Sequence, residues 1–332
     1  MSRAEGRLDE AGLIARFFRP LAAAPGAALL SDDAATIPTG DGPDLVVTTD
    51  ALVAGVHFFP DDPADAVARK ALRVNLSDLA AKGARPAGYL VTLALPEDWE
   101  TDWLDGFAEG LAADQEEFVV SLLGGDTVRT PGPLMISVTA LGFAQEGRTP
   151  RRGGGAPGQR LYVTGTIGDA ALGLRLRQDE RLALKWDLRR DEREHLLDRY
   201  LIPEPRLALA GVVAAYAAAS MDLSDGLVGD LEKLAEASRC GAILEADRVP
   251  LSRAAARAIR ADPSSLTDAL TGGDDYELLL AIHPDDVDAF EQEARAAGVP
   301  VVDVGALVEG AGVEVESNGR PLALETRSFS HF

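Results

Sequence analysis

Three apolar runs in this chain break off in carboxylates: Val46-Val47-Thr48-Thr49-Asp50, Leu122-Leu123-Gly124-Gly125-Asp126 and Met221-Asp222-Leu223-Ser224-Asp225. Short aliphatic or β-branched runs of this kind read as buried strands. Each aspartate is therefore expected where a buried strand stops. A single case is a turn or a helix cap. Repetition at distant positions asks for a fold that gathers strand ends at one crevice, which is the geometry of α/β sheets. Asp32 and Asp33 in SDDAA and Asp78 in NLSDLAAKG extend the set.

Such a gathering is costly without cations, because the chain holds 54 Asp and Glu against 32 Lys and Arg, a formal net charge of −22. Carboxylates beside Thr and Ser hydroxyls are hard oxygen ligands, and they suit Mg²⁺ better than zinc. Four histidines and one cysteine argue against a soft-ligand centre. Mg²⁺ held by carboxylates usually accompanies substrate phosphates, yet the chain has no GxxxxGK[ST] loop and no HRD or DFG signature. The acidic balance disfavours nucleic acid and anionic membranes as partners. No apolar window reaches the ~18 residues of a membrane span. The N-terminus lacks the pattern of a signal peptide, and Cys240 has no second cysteine to pair with, so a cytoplasmic location is expected.

A length of 332 residues suggests about two domains. The best linker is TPRRGGGAPGQR at 149–160, rich in Gly, Pro and Arg, which divides the chain into 1–148 and 149–332. Both parts alternate helical and strand patterns. In the first, EAGLIARFFRPLA reads as an amphipathic helix carrying Leu13, Ile14, Phe17, Phe18 and Leu21 on one face. PADAVARKALRVNLSDLAAKGA reads as a long helix with Pro63 at its start and Gly83 at its end. FVVSLLGG reads as a strand, and LMISVTALGFA as one buried on both faces. In the second part, PRLALAGVVAAYAAA reads as a helix, LVGDLEKLAEASRC as another and GAILEA as a strand. TGTIGD at 164–169 is a turn before a helix and is read as structural.

The strings SDDAA, VVTTDALVAGVHF, RKALRVNLSDLAAKGARP, GGDTVR, YVTGTIGDAALGL, MDLSDGL and GGDDYEL occur in that order, and the chain ends in SFSHF. Together they resemble the thiamine-monophosphate kinase family, part of the superfamily of aminoimidazole ribonucleotide synthetase and selenophosphate synthetase. The resemblance spans nearly the whole chain. It implies a two-domain α/β (α+β) fold in which the N-terminal sheet domain dimerises and a C-terminal α/β domain follows. It implies ATP-dependent phosphorylation of thiamine monophosphate to thiamine diphosphate, with Mg²⁺. Matched motif by motif, Asp33, Thr48, Thr49, Asp50, Asp78, Asp126, Asp222 and Asp225 resemble metal ligands. Gly125, Asp126, Arg152 and Ser224 resemble ATP-binding positions. His57, Asp274 and Phe329 resemble the positions that hold the acceptor. Two departures stand out: Ser31-Asp32-Asp33 replaces the family's Gly-Asp-Asp, and Gly272-Gly273-Asp274-Asp275 replaces Gly-Gly-Glu-Asp.

The acceptor of such a reaction is a phosphate oxygen, already ionised at neutral pH, so no general base is required. The task is to bring two polyanions together, and metal ions perform it. Direct transfer without a phosphoenzyme is expected. The alternative within the superfamily is another ATP-dependent synthetase. A selenophosphate synthetase would carry a reactive Cys near its N-terminus, and none is there. A Ca²⁺-binding module would show DxDxDG spacing, which is missing. Without the resemblance, His57 and Phe329 would read as packing residues and Arg152 as a solvated charge.

Overall fold

A computed structural model describes residues 9–40, 42–324, 327 and 328. Two sheets organise it. The first uses β1 (Ala35–Ile37), β2 (Asp44–Val53), β3 (Arg85–Leu95), β4 (Leu122–Arg129) and β5 (Met135–Ala144), in the order β1-β2-β5-β3-β4. The second uses β6 (Arg160–Thr164), β7 (Ala217–Asp222), β8 (Gly241–Glu245), β9 (Leu278–Ile282), β10 (Val301–Val308), β11 (Gly312–Ser317) and β12 (Arg320–Pro321), in the order β12-β11-β8-β10-β6-β9-β7. The helices of the N-terminal part are α1 (Glu10–Leu13), α2 (Ala64–Ala81) and α3 (Thr101–Phe118). Those of the C-terminal part are α4 (Asp169–Gln178), α5 (Leu182–Lys185), α6 (Arg190–Leu201), α7 (Ala210–Tyr216), α8 (Leu227–Ser238), α9 (Arg253–Ala261), α10 (Ser265–Thr271) and α11 (Val287–Ala296).

The long helix α2 forms where the sequence places it. Ala and Leu dominate it, and Pro63 stands at its N-cap, where a missing N–H costs nothing. Gly83, at φ 64°, ends it. There Ala84 N–H donates to Leu79 O and Gly83 N–H to Ala80 O, the paired bonds of a Schellman stop. Its middle packs on β2 and β5 with Val67, Ala71, Leu72, Val74 and Leu76, and its last turn, Ala80 and Ala81, joins the core of Tyr162, Leu278 and Leu280 in the second sheet. One helix thus contributes to the cores of both sheets. This is why it has almost no exposed face, and why its polar residues Lys70, Arg73, Asn75, Ser77 and Asp78 are also buried.

Several expectations are corrected. The segment expected as one amphipathic helix near the N-terminus is α1 followed by a π turn over Ile14–Phe18 and a 3-10 turn over Arg19–Leu21. Phe17, Phe18 and Leu21 are exposed, because no described element covers them. FVVSLLGG is not one strand. Phe118 ends α3, Val119 closes it in a left-handed cap at φ 52°, and β4 begins only at Leu122. Asp50 and Asp126 therefore lie inside β2 and β4, and Asp222 alone ends its strand. The alanines after Tyr216 leave the helix and start β7, because the core of the second sheet claims Ala219 and Met221. β5 is buried on one face, with residues alternating buried and half-buried, so its second face is uncovered in a single chain. The Gly-rich segment at 149–160 is not a free linker, although most of its residues are exposed. Arg151 bridges Ala219, and a Cβ at Gly154 would meet Ala218 O at 2.0 Å, so a bare backbone is required for the segment to lie on β7.

Candidate active site

The seam between the two sheets collects the carboxylates. Asp33 enters from the loop before β1, Asp78 from the buried face of α2, and Asp222 from the end of β7. One oxygen from each lies within 4.8 Å of the others. Thr48, on β2, donates to Asp78 Oδ2 at 2.5 Å and to the Asp33 carbonyl at 3.2 Å. Asp50, two residues on, shares that face of the strand, and its backbone N–H donates to Asn75 Oδ1 at 3.0 Å. Asp225 lies beside the group on the turn into α8. Its carboxylate is paired with Lys233, which also reaches buried Asp230 at 2.8 Å.

The electrostatics are those of crowded anions. Burial raises Asp78 well above the ordinary carboxylate range, and the charges of Asp222 and Asp50 add to the effect. Burial raises Asp222 in the same way, with Asp33 adding to it. Asp50 is exposed in the single chain, but the desolvating cleft wall and the charges of Asp33 and Asp225 push its carboxyl up to about 6. Asp33 moves the other way. Burial raises it, but Lys82 and Arg152 together draw it below the usual range. Lys82 is fully buried. It lies 2.5 Å from Asp32 and 2.7 Å from Asp33, and it donates to Ser220 O at 2.8 Å. Arg152, in the Gly-rich segment, is bonded to Asp33 and is not the solvated charge that composition suggests. An oxygen-only set with converging carboxylates fits a hard divalent cation and offers nothing to a soft one.

The remaining expected positions fall as follows. Ser31 takes φ −115° and donates to Ala28 O at 2.6 Å, so serine needs no glycine conformation there. The left-handed residues are Ala28, Leu29 and Leu30 just before it. Thr49 alternates to the opposite face of β2, where it donates to Val138 O and accepts from Thr139. Gly125 and Asp126 lie on the exposed edge strand β4. Register aligns Asp50 with Val138, Val138 with Val91 and Val91 with Gly125, three strand spacings or about 14 Å across the sheet. A single chain therefore does not bring Asp126 to the carboxylate group. Ser224 O accepts from Asp274 N–H at 2.9 Å, which ties the turn after β7 to the Asp274 loop. His57 Nδ1 accepts from Val53 N–H at 3.0 Å. Phe329 lies outside the described residues. TGTIGD is structural, as expected: the buried carboxylate of Asp275 takes the N–H groups of Gly168 and Ala170 at the start of α4.

Four residues near the candidate site escaped the sequence reading: Lys70, Lys82, Asp230 and Lys233. The signal for the first two was available. Lys70 is a charged position within an Ala- and Leu-rich helix and Lys82 stands just past its end, where a buried lysine requires buried carboxylates.

Comparison with known proteins agrees with this geometry. Residues 31–144 match the N-terminal domain, and residues 156–318 the C-terminal domain, of the AIR synthase related protein family. A thiamine-monophosphate kinase of Caulobacter vibrioides is 44% identical over 322 residues, covering 96% of this chain and 89% of that protein. Its counterpart in Escherichia coli K12 is 38% identical over 305 residues, 91% of each. The solved structure of AaThiL complexed with AMPPCP and TMP superposes with a TM-score of 0.85 at 30% identity, covering 99% of this chain and 100% of that one. The chain belongs to the AIR synthase related family and, within it, to the thiamine-monophosphate kinases.

Proposed function

We propose that the protein transfers the γ-phosphoryl group of ATP to thiamine monophosphate, with Mg²⁺ held by Asp33, Asp50, Asp78, Asp222 and Asp225 and by the hydroxyl of Thr48. The observation that carries this reading is the convergence of three carboxylate oxygens within 4.8 Å at the seam of the two sheets. A related structure of the same fold holds AMPPCP and TMP. Mg²⁺ bound there would offset the repulsion between two phosphate groups and favour in-line attack. The chain's own residues do the rest. Asp78 and Asp222 are kept rigid by burial. Arg152 is placed to meet a nucleotide phosphate once metal charge replaces it at Asp33, and Ser224 is assigned to the same nucleotide from the turn after β7. His57 and Asp274, with Phe329, are assigned to the acceptor, a cationic aromatic phosphomonoester. Its phosphate oxygen is already ionised, so transfer needs no base.

We assign residues 1–148 and 149–332 to the two domains, and we infer a homodimer formed through the first sheet. Leu122, Leu123 and Val128 are exposed on β4, Leu90 on β3 and Phe143 on β5, an uncovered apolar surface around a free sheet edge. The dimer also gives Thr49, Gly125 and Asp126 a role, because a neighbouring β4 supplies what lies about 14 Å away within one chain. Light scattering should give about twice the 34.9 kDa chain mass. Mixing inactive Asp126→Asn and Asp222→Asn subunits should restore part of the activity, and a monomer, or no restoration in confirmed mixed dimers, would refute the shared site. The substrate assignment is tested by following thiamine diphosphate at equal ATP and Mg²⁺ with thiamine or thiamine monophosphate as acceptor. Product from thiamine monophosphate supports the assignment, and faster phosphorylation of free thiamine overturns it.

A further inference from the structure

Lys70 belongs to none of the groups above, yet it touches two of the acceptor positions at once. It sits in the first half of α2 with a side chain 3% exposed. Its ammonium group donates to Asp274 Oδ2 at 2.8 Å and to the His57 carbonyl at 3.3 Å, and it lies 4.1 Å from the centroid of the Tyr200 ring. Three donors meet three partners: a carboxylate, a carbonyl and an aromatic face. The partners come from three elements. His57 belongs to the loop after β2, Tyr200 to α6 and Asp274 to the loop after α10. Tyr200 in turn packs edge-on against Phe59, two residues beyond His57, with ring centroids 6.3 Å apart.

The Asp274 loop shows why such an anchor is needed. Asp274 is held at φ 72° and Tyr276 at φ 51°, left-handed conformations that cost a non-glycine residue energy. The backbone is pinned by Asp274 N–H to Ser224 O and Tyr276 N–H to Leu223 O, both at 2.9 Å. The aspartate side chain is short, and Lys70 takes one of its two oxygens. A carboxylate at 28% exposure, fixed at one oxygen by a buried cation, is a pre-aimed acceptor for a positively charged ligand.

We propose that Lys70 is a positioning residue for acceptor specificity. From one ammonium group it sets His57, on the N-terminal side of the seam, and Asp274, on the C-terminal side, in the register that receives a cationic heteroaromatic phosphomonoester. The acceptor pocket then exists only while the two sheets are docked. Lys70 makes no bond to Ser224 or Arg152; Ser224 meets the Asp274 loop only through its backbone carbonyl, in a bond that does not use the Asp274 side chain held by Lys70. This inference rests on the substrate reading above.

The test is the separation of Michaelis constants in Lys70→Met, which keeps the buried volume of the stem and removes the charge. The KM for thiamine monophosphate is expected to rise roughly 10-fold while the KM for ATP stays near the wild-type value. Lys70→Arg, which can still reach a carboxylate and stack on Tyr200, should recover part of the loss. Titration calorimetry of thiamine monophosphate into the Mg²⁺–nucleotide-analogue complex should show the same weakening without turnover. If Lys70→Met fails to fold, Tyr200→Leu removes the ring that holds the ammonium group and should give the same split. An unchanged acceptor KM, or parallel rises for acceptor and ATP, would overturn the positioning role. Wild-type protein that binds ATP but not thiamine monophosphate would instead overturn the substrate reading, so the two failures are distinguishable.

Discussion

Lys82 is a buried counter-ion of Asp33, one carboxylate of the cluster, in the metal-free chain. A lysine this deep would ordinarily lose its proton, but Asp33 and Asp32, at 2.7 and 2.5 Å, hold its pKa above the usual value despite burial. The pair is worth little against an apolar replacement of the whole group, but breaking one side leaves Asp32 without its lysine and Asp33 with Arg152 alone. Lys82→Met should therefore destabilise the metal-free protein by about 3–5 kcal/mol, and saturating Mg²⁺ should restore part of the melting temperature. An unchanged melting temperature without metal would show that the pair is not intact in solution. Asp222→Asn acts on the opposite face of the problem. The fold should survive, because burial already favours the neutral acid at this position, while turnover should fall at least ~100-fold as the metal site loses a ligand. Near-normal turnover in a folded Asp222→Asn protein would sink the metal assignment.

At the scale of elements, α2 and the Gly-rich connection do most of the work of joining the sheets. Along α2, Lys70 reaches Asp274, Arg73 reaches Pro203 O at 3.1 Å, and Ser77 reaches Tyr276 O at 3.4 Å; just past its end, Lys82 reaches Ser220 O. The connection lies flat on β7 and delivers Arg152 to Asp33. Gly154→Ala should push that strip away from Ala218 O, lower thermal stability and raise the KM for ATP more than that for the acceptor. Equal effects on both constants would show that the connection does not serve the nucleotide side. These two elements also mark how far sequence reading goes. The boundaries of α2 and its aspartate were legible, because an Ala- and Leu-rich run between Pro63 and Gly83 has one reading. The connection reads as a linker, which its mostly exposed residues allow, but Gly and Arg are usual in linkers and only the approach to β7 reveals the other reason for them. β4 was misplaced because Val119 and Val120, apolar and β-branched, continue the pattern of a strand that the left-handed turn after α3 interrupts. The carboxylates were found as a set and Arg152 with them, while the pairings of Lys70 with Asp274 and Lys82 with Asp32, 204 and 50 residues apart, show in the sequence only as lysines in or beside an apolar helix.

For the whole molecule, net charge and cluster geometry make stability depend jointly on pH and metal. Asp50 titrates near 6, and Asp78 and Asp222 lie well above the ordinary range, each raised first by burial and then by neighbouring carboxylates. A folded-state pKa above the unfolded value means the folded state binds protons more readily. The resulting stability is fully present below the unfolded pKa of about 4 and is lost as pH rises through the folded values. Asp33 has the opposite sign: its lowered pKa stabilises the fold above the ordinary carboxylate range, and that contribution fades only in more acidic solution. Between pH 5 and 8 the raised group dominates, so the metal-free protein should lose stability as pH rises. Mg²⁺ requires the same carboxylates deprotonated and therefore binds more tightly over that interval. Ligand at 100 times its dissociation constant adds about 2.7 kcal/mol, so the Mg²⁺-induced rise in melting temperature should be small at pH 5 and should grow as pH rises through the Asp50 value of about 6 and beyond. Scanning calorimetry with and without Mg²⁺ across this range measures both slopes. A Mg²⁺ increment independent of pH would mean that the ion sits on carboxylates whose pKa values the cluster does not raise, away from Asp50, Asp78 and Asp222.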